Sequence, residues 1–340
     1  MNNASRSEWR SQKHSLLLAW LVLICAVRPQ AQTCLSSPDM PASVRAELEA
    51  AAKRYFDMSA REDAAGLKQN AIPSMAEQFT GVENALKENQ SNLTGASGTV
   101  RPPFLLNAEG SAPLERAEFL CGVFGPSGQT SQSAVFVLRN LPPGKYAVAI
   151  VDVKGGKQPR TLTLILQHLQ GDWKIAGYYL AASEATGHDS AWFAQRARDF
   201  KAKSQTHNAW LYYREAISLA VPVDFMSTLA TDKLYDEIQT LQPTDMPTEG
   251  NVIDLNVGGK SVRWTNVFPL TVGDDLHLVV KYSVSDISNT VKTYEQNVQV
   301  SKAVVAKFPE FREAFAGVVA RAVDPSGQDY GSLLPMKDIK

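Results

Sequence analysis

The 340-residue chain is predicted to fold as an α+β protein in which helices pack on one face of an antiparallel sheet. Apolar residues recur at helical spacing between about residues 40 and 90, and at strand spacing between about 117 and 180. Turn sequences rich in glycine and proline separate the predicted strands. The clearest strand signal is a hairpin over Thr161–Leu180, which turns at Gln170-Gly171-Asp172.

The first 31 residues have the pattern of a secretory leader. Arg6, Arg10 and Lys13 precede the apolar run Leu16–Val27, and the small residue Ala31 follows it. This pattern predicts a signal peptide over residues 1–31 and export to the periplasm or the cell exterior. The run is shorter than the roughly 20 residues that span a bilayer, so no stable membrane span is expected after cleavage. An uncleaved N-terminal anchor is the alternative.

Export would leave two of the three cysteines in an oxidising compartment. Cys25 would leave with the leader, so a disulfide between Cys34 and Cys121 is a hypothesis. The alternative is that Cys121 is a small buried hydrophobe and Cys34 a free thiol in an N-terminal tail.

Three helices are predicted first. A helix beginning near Pro41 has an apolar face that includes Leu48, Tyr55 and Phe56. Ser59-Ala-Arg-Glu62 is interpreted as a capping box that starts a second helix. A third helix begins near Ser74, with a stripe formed by Met75, Phe79, Val82 and Leu86.

A meander of five strands is predicted next. Its members are Ala117–Phe124, Ala134–Asn140, Tyr146–Val153, Arg160–Leu169 and Trp173–Leu180. In the hairpin formed by the last two, Trp173, Ile175 and Gly177 are expected to share one face, because side chains alternate along a strand.

Residues 40–182 resemble the NTF2-like cone fold. The resemblance rests on the helix order and on the segments Lys53–Asp63 and Gly171–Tyr178. It implies that residues 32–182 form a cone of three helices against a curved antiparallel sheet, and that Tyr55, Trp173 and Tyr178 are candidate ligand-binding residues. It also implies a homodimer through the open sheet face. The family contains both enzymes and non-enzymatic modules, so the fold alone does not assign a function.

One branch of that family suggests a catalytic alternative. Its isomerases use a tyrosine of the first helix as an oxyanion donor and a carboxylate base soon after the second helix. Tyr55 matches the tyrosine, but Asn70–Met75 contains no carboxylate, and the next acid is Glu77. We therefore expect Tyr55 to be a core aromatic residue, and proton transfer by Tyr55 is the alternative.

A helical connector is predicted over residues 189–240. Asp189 or Ser190 is expected to cap the first helix, and a third helix is expected over Phe225–Gln239. The first two helices, at about residues 190–222, are similar to a single tetratricopeptide-type hairpin, but no second copy follows. Four aromatic residues are interpreted as helix-packing core, with a ligand groove as the alternative: Trp192, Trp210, Tyr212 and Tyr213.

Residues 250–340 are predicted to form a small α+β module of no recognised family. Gly258-Gly259 marks a hairpin, and Val291, Tyr294 and Val305 indicate a helix. Val318–Val323 is the last predicted strand, and an irregular tail is expected after Asp324.

Charge and motifs exclude several function classes. The net charge is -1 and no lysine/arginine stripe is present, so nucleic acid is not an expected partner. His168, His188, His207 and His277 lack metal-site spacing, and no phosphate-binding glycine loop occurs. No cofactor or metal is expected.

Together these observations predict an exported, non-catalytic binding or interaction protein of the cell envelope that uses the cone pocket or face. The expected partner is a small apolar ligand or an envelope protein. The alternatives are a cone-pocket enzyme of isomerase or dehydratase type with Tyr55 as proton donor, and an envelope scaffold that acts through the helical segment.

Overall fold

A computed structural model describes residues 32–248 and 250–340, and within these ranges the chain is a mixed α+β protein, as predicted. The signal peptide predicted at residues 1–31, including Cys25, lies outside the described residues. None of the helices in the described ranges is both long and apolar enough to cross a membrane.

The helices and strands alternate irregularly along the chain. The first half contains β1 (Gln32–Leu35), α1 (Ala42–Ala60), α2 (Ala64–Gln69), α3 (Pro73–Glu77), α4 (Thr80–Glu88), α5 (Gln90–Leu93), β2 (Ser97–Val100), β3 (Phe104–Ala108), β4 (Leu114–Gly125), β5 (Gly128–Leu141), β6 (Gly144–Lys154), β7 (Arg160–Leu169) and β8 (Asp172–Ala182). The second half contains β9 (Glu184–Ala185), β10 (His188–Asp189), α6 (Ser190–Ala202), α7 (Thr206–Ala220), β11 (Met226–Thr228), α8 (Leu229–Gln239), β12 (Ile253–Val257), β13 (Lys260–Val272), β14 (Asp275–Ser283), α9 (Thr290–Lys307), α10 (Phe311–Ala314), β15 (Gly317–Val323), β16 (Asp329–Pro335) and a final 3-10 turn (Met336–Asp338).

The N-terminal helices differ from the prediction where α1 ends. The predicted capping box is wrong, because Ser59 lies inside α1 and its hydroxyl donates to the Tyr55 carbonyl at 2.8 Å. Glu62 follows α1 with a left-handed φ of 58°, and Asp63 then caps α2 by accepting from the Gly66 N–H. The third predicted helix is divided into α3 and α4.

Sheet A has the strand order β1-β3-β6-β7-β8, and β2 also pairs with β6. The predicted hairpin is confirmed as β7 and β8. Its turn residues Gln170 and Gly171 have φ of 53° and 89°. Two positive φ values are typical of the two-residue hairpin turns whose twist matches that of the flanking strands. The helices pack on the face of sheet A that carries Leu162, Leu164 and Leu166.

A β-bulge changes which side chains of β8 share a face. Ile165 is opposite Gly177 and Leu166 is opposite Ile175, so Ala176 is the extra residue. Tyr178 therefore joins Trp173 and Ile175 on the helix side, where Gly177 was expected. Gly177 lies on the other face, and a Cβ there would meet the Tyr179 ring at 2.9 Å.

The first two predicted strands are not part of that meander. They form β4 and β5, which make a separate sheet with β11, here called sheet B. Sheet B covers the second face of sheet A, and the core between them includes Phe119, Phe136 and Val148. This face of sheet A is apolar at Val148, Ile150 and Ile165, and sheet B packs on it.

The second half of the chain has one common core. Trp210 and Tyr213 of α7 belong to the same buried cluster as Trp264 and Tyr282 of the C-terminal sheet. Asp189 caps α6, as predicted, by accepting from the Trp192 N–H at 3.0 Å. The helix predicted from Phe225 begins only at Leu229, because Met226–Thr228 pairs with β5 and Thr228 forms a capping box with Thr231.

The C-terminal sheet has the order β12-β13-β14-β15-β16. The helix predicted around Val291–Val305 is confirmed as α9, which connects the parallel strands β14 and β15. The irregular tail expected after Asp324 is wrong in part, since Asp329–Pro335 forms β16 against β15. Buried Asn297 of α9 bridges the Tyr282 hydroxyl at 2.8 Å and the Tyr330 carbonyl at 3.1 Å.

Candidate functional site

Tyr55 lies in the packed core between the helices and sheet A. Its side chain is fully buried, and its hydroxyl donates to the Trp173 carbonyl at 2.5 Å. Arg54 donates to the same hydroxyl at 2.9 Å. Burial raises the pKa of Tyr55, and the neighbouring Arg54 charge opposes this rise. Neither hydrogen-bond partner is a carboxylate or a histidine, so the pair does not provide the base that proton transfer requires.

Trp173 and Tyr178 belong to the same core. The Tyr178 hydroxyl donates to Ser59 Oγ at 3.0 Å, and burial raises the pKa of Tyr178 to about 12. The Trp173 indole N–H is buried and has no hydrogen-bond partner among the described residues. Five well-formed cavities lie within residues 32–248 and 250–340. None of these five is lined by Tyr55, Trp173 or Tyr178. We therefore place the candidate site elsewhere.

The two remaining cysteines form a disulfide. Cys34 of β1 and Cys121 of β4 are bonded, with their Cα atoms 5.0 Å apart. The bond joins the edge strand of sheet A to the edge strand of sheet B. It fixes the two sheets to each other at one side of their common core.

The largest of these cavities lies at the other side of that core, between the two sheets. We call it the Tyr179 cavity, and its volume is about 710 Å³. This size falls in the range of small-molecule sites, which are mostly apolar with a few polar groups. Its lining residues come from β5, β6, β7, β8, α3 and the segment before β11: Ile72, Ser74, Val137, Leu138, Arg139, Asn140, Leu141, Pro142, Tyr146, Ile165, Gln167, Ala176, Tyr179, Asp224 and Phe225.

An aromatic pair forms one wall of the cavity. The rings of Tyr179 and Phe225 meet edge to face, with centroids 5.5 Å apart. Gly177 leaves room for the Tyr179 ring, and the Phe225 carbonyl accepts from the Val137 N–H at 2.9 Å. Burial raises the pKa of Tyr179, and the charge of Asp224 raises it further. The wall is therefore held by both backbone and ring contacts.

Polar groups meet at the opposite wall. Gln167 Nε2 donates to the Tyr146 hydroxyl at 3.1 Å, and that hydroxyl donates to the Pro142 carbonyl at 2.9 Å. Arg139 and Asp224 are exposed at the cavity and form no salt bridge with any residue that the structure describes. The cavity thus offers an apolar surface, an amide, and one charge of each sign.

The other residues singled out in the sequence have structural environments. Trp210, Tyr212 and Tyr213 are buried in the core of the second half, as the packing interpretation predicted. Trp192 is 39% exposed and stacks on the His188 ring at 3.8 Å.

The four histidines in the described ranges do not assemble a metal site. His207 lies between Glu310, at 2.7 Å, and Asp245, at 3.0 Å, and so connects α7 to the residue before α10 and to the loop before β12. Within the described ranges no group of three or more histidine, cysteine or acidic side chains is arranged to hold a metal ion.

The sequence did not identify the residues of the Tyr179 cavity, because the candidate site residues were sought on the side of sheet A that faces the helices. One available signal was Gln167, an amide on the side of β7 away from the leucines, whereas Tyr179 reaches that side only because of the bulge at Ala176. Comparison with protein-family models, with curated proteins and with solved structures gave no match for this chain. Its function is therefore inferred from the geometry of the cavity.

Proposed function

We propose that this chain is an exported, non-catalytic binding protein, and that the Tyr179 cavity of its NTF2-like N-terminal domain holds a small ligand. The observation that carries this proposal is the cavity itself, with an aromatic wall at Tyr179 and Phe225 and a polar wall at Gln167 and Tyr146. A ligand with an apolar, preferably aromatic, body and a charged end fits this lining, because neither Arg139 nor Asp224 has a salt-bridge partner in the described part of the chain, and an anionic end would pair with Arg139.

The disulfide supports export. Cys34 and Cys121 are bonded, and disulfides persist in the periplasm or outside the cell but are rare in reducing compartments. This agrees with the signal peptide predicted from residues 1–31.

Neither alternative function gains an observation of its own. The Tyr55 hydroxyl is already engaged with a backbone carbonyl and a guanidinium group, which disfavours an isomerase-type reaction. The helical segment shares its core with the C-terminal sheet, so its aromatic side chains are largely occupied by packing.

The test uses 8-anilinonaphthalene-1-sulfonate, which has an aromatic body and an anionic end. Its fluorescence would be titrated against the native protein and against Tyr179→Ala. An edge-to-face aromatic contact contributes about 0.5–1.5 kcal/mol, so we expect the dissociation constant of the variant to rise roughly two- to tenfold. Tyr235→Ala removes an exposed tyrosine that does not line the cavity and should bind like the wild type.

A second pair of variants tests the charge. Arg139→Gln should weaken binding, whereas Arg116→Gln should not, since Arg116 is the neighbour of Arg139 on β4 but lies outside the cavity. Ala176→Phe should fill the cavity and abolish binding, with circular dichroism as the check on folding. Equal dissociation constants for the wild type and for folded Ala176→Phe would exclude the Tyr179 cavity as the site.

A further inference from the structure

A second cavity lies at the disulfide side of the core between sheets A and B. We call it the Ser37 cavity, and its volume is about 580 Å³. It is lined by the segment after β1, by the loop before β3, and by β3, β4, β5, β6 and β11: Ser36, Ser37, Pro38, Asp39, Arg101, Pro102, Phe104, Gly122, Val123, Ser131, Gln132, Ser133, Ala134, Ile150, Met226 and Thr228.

Two fully buried side chains separate this cavity from the Tyr179 cavity. Along β5, Phe136 stands between Ala134, which lines the Ser37 cavity, and Leu138, which lines the Tyr179 cavity. Along β6, Val148 stands between Ile150 and Tyr146 in the same way. Both Phe136 and Val148 are 0% exposed, so the two cavities have independent openings.

The polar lining of the Ser37 cavity is mostly uncharged. Its floor is apolar at Phe104, Ile150 and Met226, and its rim carries hydroxyl and amide side chains. The Arg101 charge is balanced by a two-pronged contact with Asp152 at 2.6–3.1 Å, whereas exposed Asp39 accepts from the Ser36 hydroxyl at 2.5 Å and forms no salt bridge with a described residue. An anionic ligand would have to compete with Asp152 for Arg101, and it would also meet the Asp39 carboxylate.

One buried hydroxyl beside the cavity lacks a partner. Ser37 Oγ is buried and makes no hydrogen bond to any described residue. Buried polar groups are normally hydrogen-bonded, and an exception calls for an explanation. Because Ser37 Oγ is buried in this conformation, the side chain must rotate about its Cα–Cβ bond to bring the hydroxyl into the cavity, where a ligand hydroxyl or amide would supply the missing partner.

From these observations we infer that the Ser37 cavity is a second binding site, which takes an uncharged amphipathic molecule. The apolar body of the ligand lies on Phe104, Ile150 and Met226, and its hydroxyl or amide groups face the rim, including Ser37. The site is separate from the Tyr179 cavity, and the inference does not depend on the function proposed for that cavity.

The disulfide holds the walls of this site together. Cys34 precedes the wall residues Ser36 and Ser37, and Cys121 precedes the wall residue Gly122. Gly122 has a φ of 82°, and a Cβ there would meet the Gln132 carbonyl oxygen at 2.0 Å, so β4 and β5 are in close backbone contact at this wall. The wall after β1 is connected to β4 through the Cys34–Cys121 bond, and opening this bond should weaken binding.

The probe is octyl β-D-glucoside below its micelle concentration, titrated calorimetrically into the full chain. Octyl sulfate, with the same alkyl chain and a charged head, is the matched ligand. We expect saturable binding of the glucoside and at least tenfold weaker binding of the sulfate. Ser37→Ala should weaken glucoside binding by about two- to tenfold, the effect of one lost hydrogen bond.

Two further variants locate the site. Ser131→Trp, at an exposed rim position, should reduce glucoside binding at least tenfold, while Ala176→Phe in the Tyr179 cavity should leave it unchanged. Absence of saturable binding, equal binding of the two ligands, or wild-type binding by both Ser37→Ala and Ser131→Trp would overturn the inference. Any of these results would leave the anilinonaphthalene sulfonate test of the Tyr179 cavity unaffected.

Discussion

Replacing Cys34 with serine should destabilise the protein, and the length of the loop that the disulfide closes determines the size of the loss. The disulfide joins residues 87 positions apart in the sequence. Cross-linking a loop of this length removes chain entropy from the unfolded state, which corresponds to about 4.6 kcal/mol at 25 °C in the loop-closure model. Residual structure in the unfolded chain reduces the effect, so we expect a loss of about 2–4.6 kcal/mol. Cys34 is half-buried, so its serine replacement adds little packing cost.

The assay is urea unfolding followed by tryptophan fluorescence, with and without a phosphine reductant. Reductant should lower the unfolding free energy of the wild type to that of Cys34→Ser, and it should leave the variant unchanged. Thiol titration would confirm that the wild-type bond is open. A wild-type loss below about 1 kcal/mol with both thiols free would refute the loop-closure reasoning.

Two other variants test buried polar groups. Burial raises the pKa of Glu215 from 4.5 to about 7, against the opposing charge of Arg214, so the folded protein binds this proton more tightly than the unfolded chain. The unfolding free energy of the wild type should therefore fall as pH rises from about 4.5 to 7. In urea titrations, Glu215→Gln should be more stable than the wild type by roughly 2–3 kcal/mol at pH 8, and the two proteins should be nearly equal in stability at pH 4.5. Exposed Glu295→Gln is the control, and a difference that does not change with pH would contradict the assignment. Tyr55→Phe should lose about 1–3 kcal/mol, because the buried Trp173 carbonyl loses its donor, while anilinonaphthalene sulfonate binding stays unchanged. Weaker binding by Tyr55→Phe would instead implicate the core between the helices and sheet A as the site.

The parts of the fold that follow from local signals could be predicted. Alternation and a turn glycine located β7 and β8, helical spacing located α9, and an aspartate at the right position located the start of α6. These signals depend on residues close together in the sequence. A strand pattern does not identify its partner strand, and this is why β4 and β5 were assigned to the wrong sheet.

The position of the site could not be predicted for the same reason. The Tyr179 cavity combines residues from Ile72 to Phe225, and no local pattern links them. The bulge at Ala176 also moved Tyr178 to the helix side and left Tyr179 beside Gly177. One hint was present in Leu164-Ile165-Leu166, since consecutive apolar residues in a strand indicate burial on both faces and hence a second covering layer.

The common core of the second half has a consequence for proteolysis. A loop that contains Pro247 and Gly250 connects α8 to β12, so a cut at either residue would covalently separate α6–α8 from the C-terminal sheet. Trp210 and Tyr213 pack with Trp264 and Tyr282 across this junction. A protease that cuts the loop would therefore produce two fragments that remain associated under native conditions and separate only in denaturant. On a native gel the cleaved protein would then migrate as one species and would be scored as resistant to the protease, although its chain is cut.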